Sequence, residues 1–472
     1  MCACKVAAKV KNISRLQSAL KRQGILVERR HGAYHLSNQH AQASVLLPEA
    51  LPLEEKAVDQ LLAFASVRSP DAHHGVCKAC ATPDFHPGSV APVGTIVATD
   101  AEFVIPAAIG TDINCGMRLL TTGLKQAAVE ARKPELLRGL TRVLLENGRN
   151  VPVPGRAFRA LFDDGPQAFI ERLSSEGLWA RADRDQLQAE LAQCVSLADF
   201  GGAARYAPEG MVGSRETIRD PGLGTPGGGN HFVELQVVDE ILDRHAAYAA
   251  GLVKGEVVVM IHTGSRDVGF HVGSRWMDRA RAAWPKGLKH PDSKLYGLAG
   301  ELADEYLTAM GTAARYAWAN RMVLGEMVRQ EMEAAVGGLR ARLVVDVPHN
   351  VVLREQGLNI HRKGATPARA GDLALIPGSM GDFSFVASGL GNADWLWSCS
   401  HGAGRSVRRQ AVRRMKQESA SGTWQCVTLR EERRIEEAPQ AYKPIGPVLE
   451  AQEQAGLIRS VARLRPWVTF KA

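Results

Sequence analysis

Asp112 and Cys115 stand three residues apart in the stretch "GTDINCGM", with a glycine on each flank. A carboxylate and a thiolate on one easily bent turn are oxygen and sulfur donors for the same borderline cation. Of the fourteen histidines, four share a setting. His231 follows "PGGGN", His262 sits in "MIHTGSR", His349 in "DVPHN" and His401 in "SCSHGAGR". In each, an apolar or glycine-rich run meets a turn of small polar residues. Glycine lacks Cβ, so backbone there can come close to a bulky anion or a metal. Imidazoles beside Asp112 and Cys115 would make a mixed oxygen, sulfur and nitrogen site. A thiolate can bridge two cations, and two divalent ions can clamp a phosphate chain. His31, His40, His245 and His290 lack such surroundings and read as surface residues.

Phosphate handling has separate support. Arg266 lies four residues after His262, and Arg405 four after His401. Arginines so placed suit bidentate phosphate recognition. Glycine-rich turns recur at "GTPGGGN", "PGSMG" and "HGAGR", but none has the spacing of a Walker or Rossmann loop. No HExxH and no paired CxxC occurs, which argues against a simple zinc protease or zinc finger. Cys77 and Cys80, near His73 and His74, offer at most half a zinc site, or else a loop with two thiols. The eight cysteines show no disulfide spacing, as expected of a reducing compartment.

The elements that must hold these residues are mixed. Residues 11–40 read as a small helix and a basic segment, residues 85–120 as short strands and tight turns. Residues 127–200 carry apolar residues at helical spacing, broken at 147–155. Strand-like runs lie at 256–262, 341–353 and 372–378, and one or two long helices at 292–336. No regular βαβ repeat, internal repeat or low-complexity linker interrupts the chain, so the expected fold is one compact α+β body of mixed short sheets and helices. The chain has 472 residues, 45% hydrophobic and 23% charged, in the soluble globular range. No run of about 18 apolar residues is present, and lysines near the N-terminus interrupt any signal peptide, so a cytoplasmic protein without membrane contact is expected. A net charge of +8 permits a polyanionic partner without requiring one.

The motifs "DINCGM", "GGGNHFVE", "HTGSR", "PHN", "HRKGAT", "PGSMG" and "HGAGR" occur in this order. With "AARYAWANR", "EEAPQAYK" and the terminal "VTFKA", they resemble the RtcB-type RNA ligases from about residue 83 to the C-terminus. The resemblance implies an RtcB-like catalytic domain over 81–472 behind a small N-terminal extension, 1–80. It implies an enzyme that joins RNA 3′-phosphate or 2′,3′-cyclic phosphate ends to 5′-hydroxyl ends, in tRNA splicing or RNA repair. GTP would be co-substrate, two Mn(II) ions the cofactors, and broken RNA the partner, with an archease-type activator a further one.

Carried over by motif, Cys115 would bridge the two ions. His262 and His349 would complete one ion's protein ligands, Asp112 and His231 the other's. His401 would be the nucleophile that takes GMP, with Arg405 and Arg266 as further catalytic residues. Cofactor binding would fall to Asn230, His231, Phe232, Val233, Glu234, His349, Asn350, Pro377, Gly378, Ser379, Met380, Ser384, His401, Gly402, Ala403, Gly404 and Lys471. Asp382 and Phe383 stand where small residues are expected before Ser384, and Arg408 where a serine is usual. Two other functions are compatible with the residues. One is a metal-dependent phosphoesterase that only opens cyclic phosphates. The other is a basic RNA-binding protein with a structural metal site, to which the run "RSVRRQAVRRMK" at 405–416 would contribute.

Overall fold

β-Branched runs separated by glycine turns lay the chain into two main sheets, and the computed structural model describes them over residues 15–213, 216–414 and 424–472. One sheet of eight strands runs Arg342–Pro348, Gly116–Lys125, Glu256–Thr263, Phe232–Ile241, Ile458–Lys471, Ser384–Gly389 and Leu373–Ile376. The eighth strand, Gln425–Thr428, pairs in parallel with Ile458–Lys471. The other sheet has seven strands, in the order Leu26–Arg30, Ala33–Ser37, Gln42–Leu46, Val76–His86, Val93–Asp100, Leu358–Lys363 and Asn350–Glu355. Helices pack on both sheets, so the fold is α+β.

The expected long helical segment is one helix, Glu301–Ala335. It is buried on nearly every side, from Ala303 to Met332, as an all-round apolar helix must be. It anchors the largest apolar cluster, with Trp318, Tyr306, Phe158, Phe162 and Trp179. The strand-like run 341–353 is two strands, because the chain turns at His349 to leave one sheet and enter the other. The segment expected as an N-terminal extension adds three strands to the edge of the seven-stranded sheet and shares its core through Tyr34, Leu36 and Val45. The strand Val76–His86 runs across residue 80. The basic run at 405–416 forms only a short helix, Arg409–Val412, and its last two residues lie outside the described residues. Among the described residues no helix is long and apolar enough to cross a membrane.

Register places the chemistry. Pro348 pairs with Gly116, Met117 with His262, His262 with Phe232, and Val233 with Phe470. Cys115, His262, His231, His349 and Lys471 therefore emerge at one end of the eight-stranded sheet. The seven-stranded sheet brings Asp84 and Lys363 to the same place, from the ends of Val76–His86 and Leu358–Lys363.

Candidate active site

Cys115 Sγ lies 3.2 Å from His231 Nε2 and 3.3 Å from His262 Nε2. His262 Nε2 lies 3.1 Å from His349 Nε2, and His231 Nε2 lies 3.0 Å from Asp112 Oδ2. Two ligand sets result, Cys115–His262–His349 and Asp112–Cys115–His231, each with its donor atoms within 4.8 Å of one another. Burial and the neighbouring imidazoles push His262 and His349 well below the ordinary histidine range, so both are neutral and able to ligate. Burial raises Asp112, but His231 and Lys363 outweigh it and hold the carboxylate ionised. Burial and Asp112 push the Cys115 thiol up, a setting that a divalent cation would reverse. Three converging Nε2 atoms, a carboxylate and a shared thiol fit two borderline divalent cations.

The backbone around these donors is fixed from behind. Asn350 donates to the Asp112 carbonyl at 3.1 Å and accepts from Gly364 N at 2.9 Å. A Cβ at Gly264 would sit 2.1 Å from Asp112 Oδ1, so the glycine of "HTGSR" is required by space. Arg321, buried in the long helix, donates to the carbonyls of Asn114 (2.7 Å) and Thr263 (3.1 Å), each next to a ligand. Its remaining nitrogens bind Asp346 at 3.0 and 2.7 Å. Neighbouring Asn320 accepts from Gly224 N (2.7 Å) and donates to the Gly264 carbonyl at 3.2 Å.

His401 sits against this cluster, its ring 4.7 Å from that of His349 and 6.4 Å from that of His262. Its Nδ1 lies 2.7 Å from Asp84 Oδ2. Asp84 is wholly buried and also accepts from Thr82 (2.6 Å) and Ser400 (3.0 Å). Burial alone would raise Asp84; the bonds to His401 and Thr82 outweigh it and hold it ionised. The ionised carboxylate accepts a hydrogen bond from Nδ1–H, which leaves the other ring nitrogen, Nε2, outside this bond. Gly404 lets the turn close, because a Cβ there would lie 2.4 Å from the Asp84 carbonyl. Lys443 braces Asp84 from either side by donating to the carbonyls of Pro83 and Phe85, at 3.0 and 2.6 Å.

A cavity of about 840 Å³ opens over both groups. Asp112, Asn230, Phe232, Glu234, His262, Pro377 to Met380, His401 to Gly404, Arg405 and Lys471 all line it. Other expected residues do not. Strand alternation turns Val233 into the core. His231, His349, Asn350 and Ser384 are buried and do not line the cavity, with Ser384 Oγ 3.0 Å from Gln236 Nε2. Arg266 packs away from the cavity: its Nε donates to Thr225 at 3.1 Å, and a Cβ at Gly227 would lie 2.1 Å from its Nη1. It braces the glycine loop that precedes His231. Arg405 reaches the cavity but is tied to Glu437 at 2.8 Å and lies over the Tyr442 ring.

The residues that departed from expectation have local work. Asp382 accepts from Ile445 N at 3.2 Å, in the first turn of the helix Ile445–Gln454, and Phe383 lies under Arg463. Cys77 is exposed and Cys80 buried, with burial pushing the Cys80 thiol up to about 12. Neither belongs to a ligand cluster among the described residues.

The sequence model of the tRNA-splicing ligase RtcB family matches residues 64–472. The chain belongs to the RtcB family. It is 36% identical over 428 residues to the tRNA-splicing ligase RtcB of Pyrobaculum aerophilum, covering 81% of this chain and 85% of that one. The RNA-splicing ligase RtcB of Mycobacterium tuberculosis is 33% identical over 444 residues, covering 83% and 96%. That of Aeropyrum pernix, a tRNA-splicing ligase RtcB, is 32% identical over 430 residues, covering 81% and 86%. In this RtcB chain the residue that motif reading missed is Asp84. Its signal was present in "TPDFHPG", a lone acid between a proline and an aromatic residue at a strand end.

Proposed function

We propose that this chain is a GTP- and Mn(II)-dependent RNA ligase that joins a 3′-phosphate or 2′,3′-cyclic phosphate end to a 5′-hydroxyl end. The observation that carries the reading is the position of His401. Its Nδ1 is fixed by Asp84, and its ring lies against the imidazoles of the donor cluster. Such an imidazole is a nucleophile with a defined tautomer beside a site for divalent cations.

In the first step His401 Nε2 attacks the α-phosphorus of GTP. An N–P bond forms, the bond to the β-phosphate oxygen breaks, and pyrophosphate leaves. The RNA 3′-phosphate then takes GMP from His401, breaking the N–P bond. The RNA 5′-hydroxyl displaces GMP from the activated phosphate and gives up its proton as the phosphodiester forms. A cyclic phosphate is first opened by water. Bound Mn(II) ions, held by Asp112, Cys115, His231, His262 and His349, would supply neutralisation of phosphate charge.

Glu234 and Lys471 support guanine as the base. Glu234 is held by Thr469 and by Gln236 at 2.5 Å; burial raises its pKa, and those bonds and nearby Lys471 offset only part of the rise. Together they present an acceptor and a donor on one wall, the complement of guanine's N1–H and O6.

The test is incubation with α-labelled GTP and Mn(II), followed by RNA with a 3′-phosphate and a separate 5′-hydroxyl strand. Labelled protein and then a joined strand are expected. Opening of a cyclic phosphate without labelling would establish the phosphoesterase instead, and RNA binding without any reaction the structural-metal protein. His401→Ala should bind Mn(II) and GTP yet stay unlabelled. If it is labelled, another residue is the nucleophile.

A further inference from the structure

The rim of the cavity carries cations of two kinds. Arg405 and Arg409 are held by Glu437 at 2.8 and 2.9 Å, and Arg413 by Glu436. Lys56, Arg408 and Arg414 line the same cavity and are exposed, and their side chains make no ion pair or hydrogen bond among the described residues. Glu54, half-buried, feels Lys443 and Arg408 without closing an ion pair with either. Three unpinned positive charges around one opening make it attractive to anionic groups.

Lys56 comes from the helix Glu55–Ala65. It begins ahead of residue 64, where the family match starts. The face that Lys56 presents is set by Gln60, one turn on. Gln60 Nε2 donates to the carbonyls of Gly88 (3.1 Å) and Val90 (3.0 Å), and its Oε1 accepts from Gly88 N at 3.2 Å. The loop it grips, Pro87 to Ala91, is cavity wall. This helix is therefore built into the opening. On the same cavity, Arg408 stands where the family resemblance leads one to expect a serine.

We propose that Lys56, Arg408 and Arg414 form a track for the sugar–phosphate backbone of the RNA strand entering the cavity. The proposal rests on the ligase reading and assigns the N-terminal segment a part in it. Two sources of phosphate share this chemistry, RNA and the triphosphate of GTP. Depth favours RNA: the groups suited to guanine, Glu234 and Lys471, are buried, whereas all three track residues are exposed. Long, unpinned side chains suit backbone contact, which carries no sequence information.

The experiment uses the full chain with Mn(II) and a single-stranded RNA bearing a 3′-phosphate. Its dissociation constant is measured from 50 to 300 mM salt for the parent, Lys56→Gln, Arg408→Ser and the double variant. Each lost contact should flatten the salt slope by about 0.7, equivalent to about fivefold weaker binding at ~0.1 M salt. Circular dichroism and thermal unfolding show whether the variants are folded, and GTP binding is measured on the same proteins. A parent that binds RNA steeply with salt, beside variants of unchanged slope, overturns the track. So does a loss confined to GTP. A parent that binds no RNA at any salt overturns the ligase reading, and the track with it.

Discussion

His401 Nδ1 and Asp84 Oδ2 lie 2.7 Å apart, with Asp84 contributed by a different sheet from the strands that carry the metal donors. The pair fixes a tautomer as well as a position. In Asp84→Asn the amide nitrogen can donate to Nδ1 and drive the proton to Nε2, the atom proposed to attack. Covalent GMP labelling should fall about 10²- to 10⁴-fold, the range for losing a correctly protonated group. Mn(II) binding should stay, because Asp84 touches no proposed ligand. Labelling rates with α-labelled GTP measure the first and elemental analysis the second. Labelling at the parent rate would mean the carboxylate is only packing.

Cys115→Ser tests the sharing of one donor between two ions. Sγ lies within 3.3 Å of imidazoles from both ligand sets. A serine hydroxyl stays protonated near neutral pH and bridges poorly. Metal content should drop from two ions per chain to one or none, with guanylylation lost. Full occupancy in the serine variant would sink the bridging role.

The cluster was legible because its thiol and imidazoles sit at or beside strand ends, with Asp112 in the turn that leads into one, and register carries such ends together. Four histidines and an acid–thiol pair therefore announced one site. What was hidden depends on partners distant in sequence. Arg405 and Arg266 looked alike, each four residues past a histidine. One is held by Glu437, 32 residues away, and the other reaches Thr225, 41 residues away. Neither pairing has a local signal. The break at His349 was invisible for a similar reason, since both flanking runs are equally β-branched and only the sheet partners differ. Residues 1–80 read as an extension because no family motif falls in them; the place of their strands between residues 26 and 46 is set by edge pairing with Val76–His86.

Arg321→Leu tests whether the long helix holds the ligand loops. Arg321 joins Asn114, Thr263 and Asp346, all buried. Removing it leaves Asp346 with Arg118 alone, at 3.3 Å. Breaking a buried pair in this way costs about 3–5 kcal/mol. Mn(II) affinity should fall by about 10- to 100-fold, as for groups that orient ligands without binding the ion. Arg321→Lys keeps the charge but not the fork and should fall between. Urea unfolding and metal titration measure the two effects. A leucine variant within about 1 kcal/mol of the parent, a cost ordinary for any substitution, would show that the clamp matters little.

Glu437→Gln separates charge from shape at the cavity rim. Glu437 is buried and pairs with Arg405 and Arg409, while Tyr442 donates to it. Burial pushes its pKa up, but Lys471, Arg405 and Arg409 outweigh burial and hold it below the ordinary glutamate value. A group with a depressed folded pKa adds stability that is fully present above its unfolded pKa, about 4.3. That contribution is lost as pH falls through the folded value. Glutamine keeps the shape and some hydrogen bonds but loses the charge, so the variant should be less stable by about 1–3 kcal/mol at pH 7. The gap should narrow as pH drops below ~4, because acid takes the charge from the parent and has nothing to take from the variant at this position. Urea unfolding at a series of pH values measures it. A gap that is the same at pH ~3.5 as at neutrality would mean that the carboxylate carries no charge in the fold, and that the arginines at the rim are held by geometry alone.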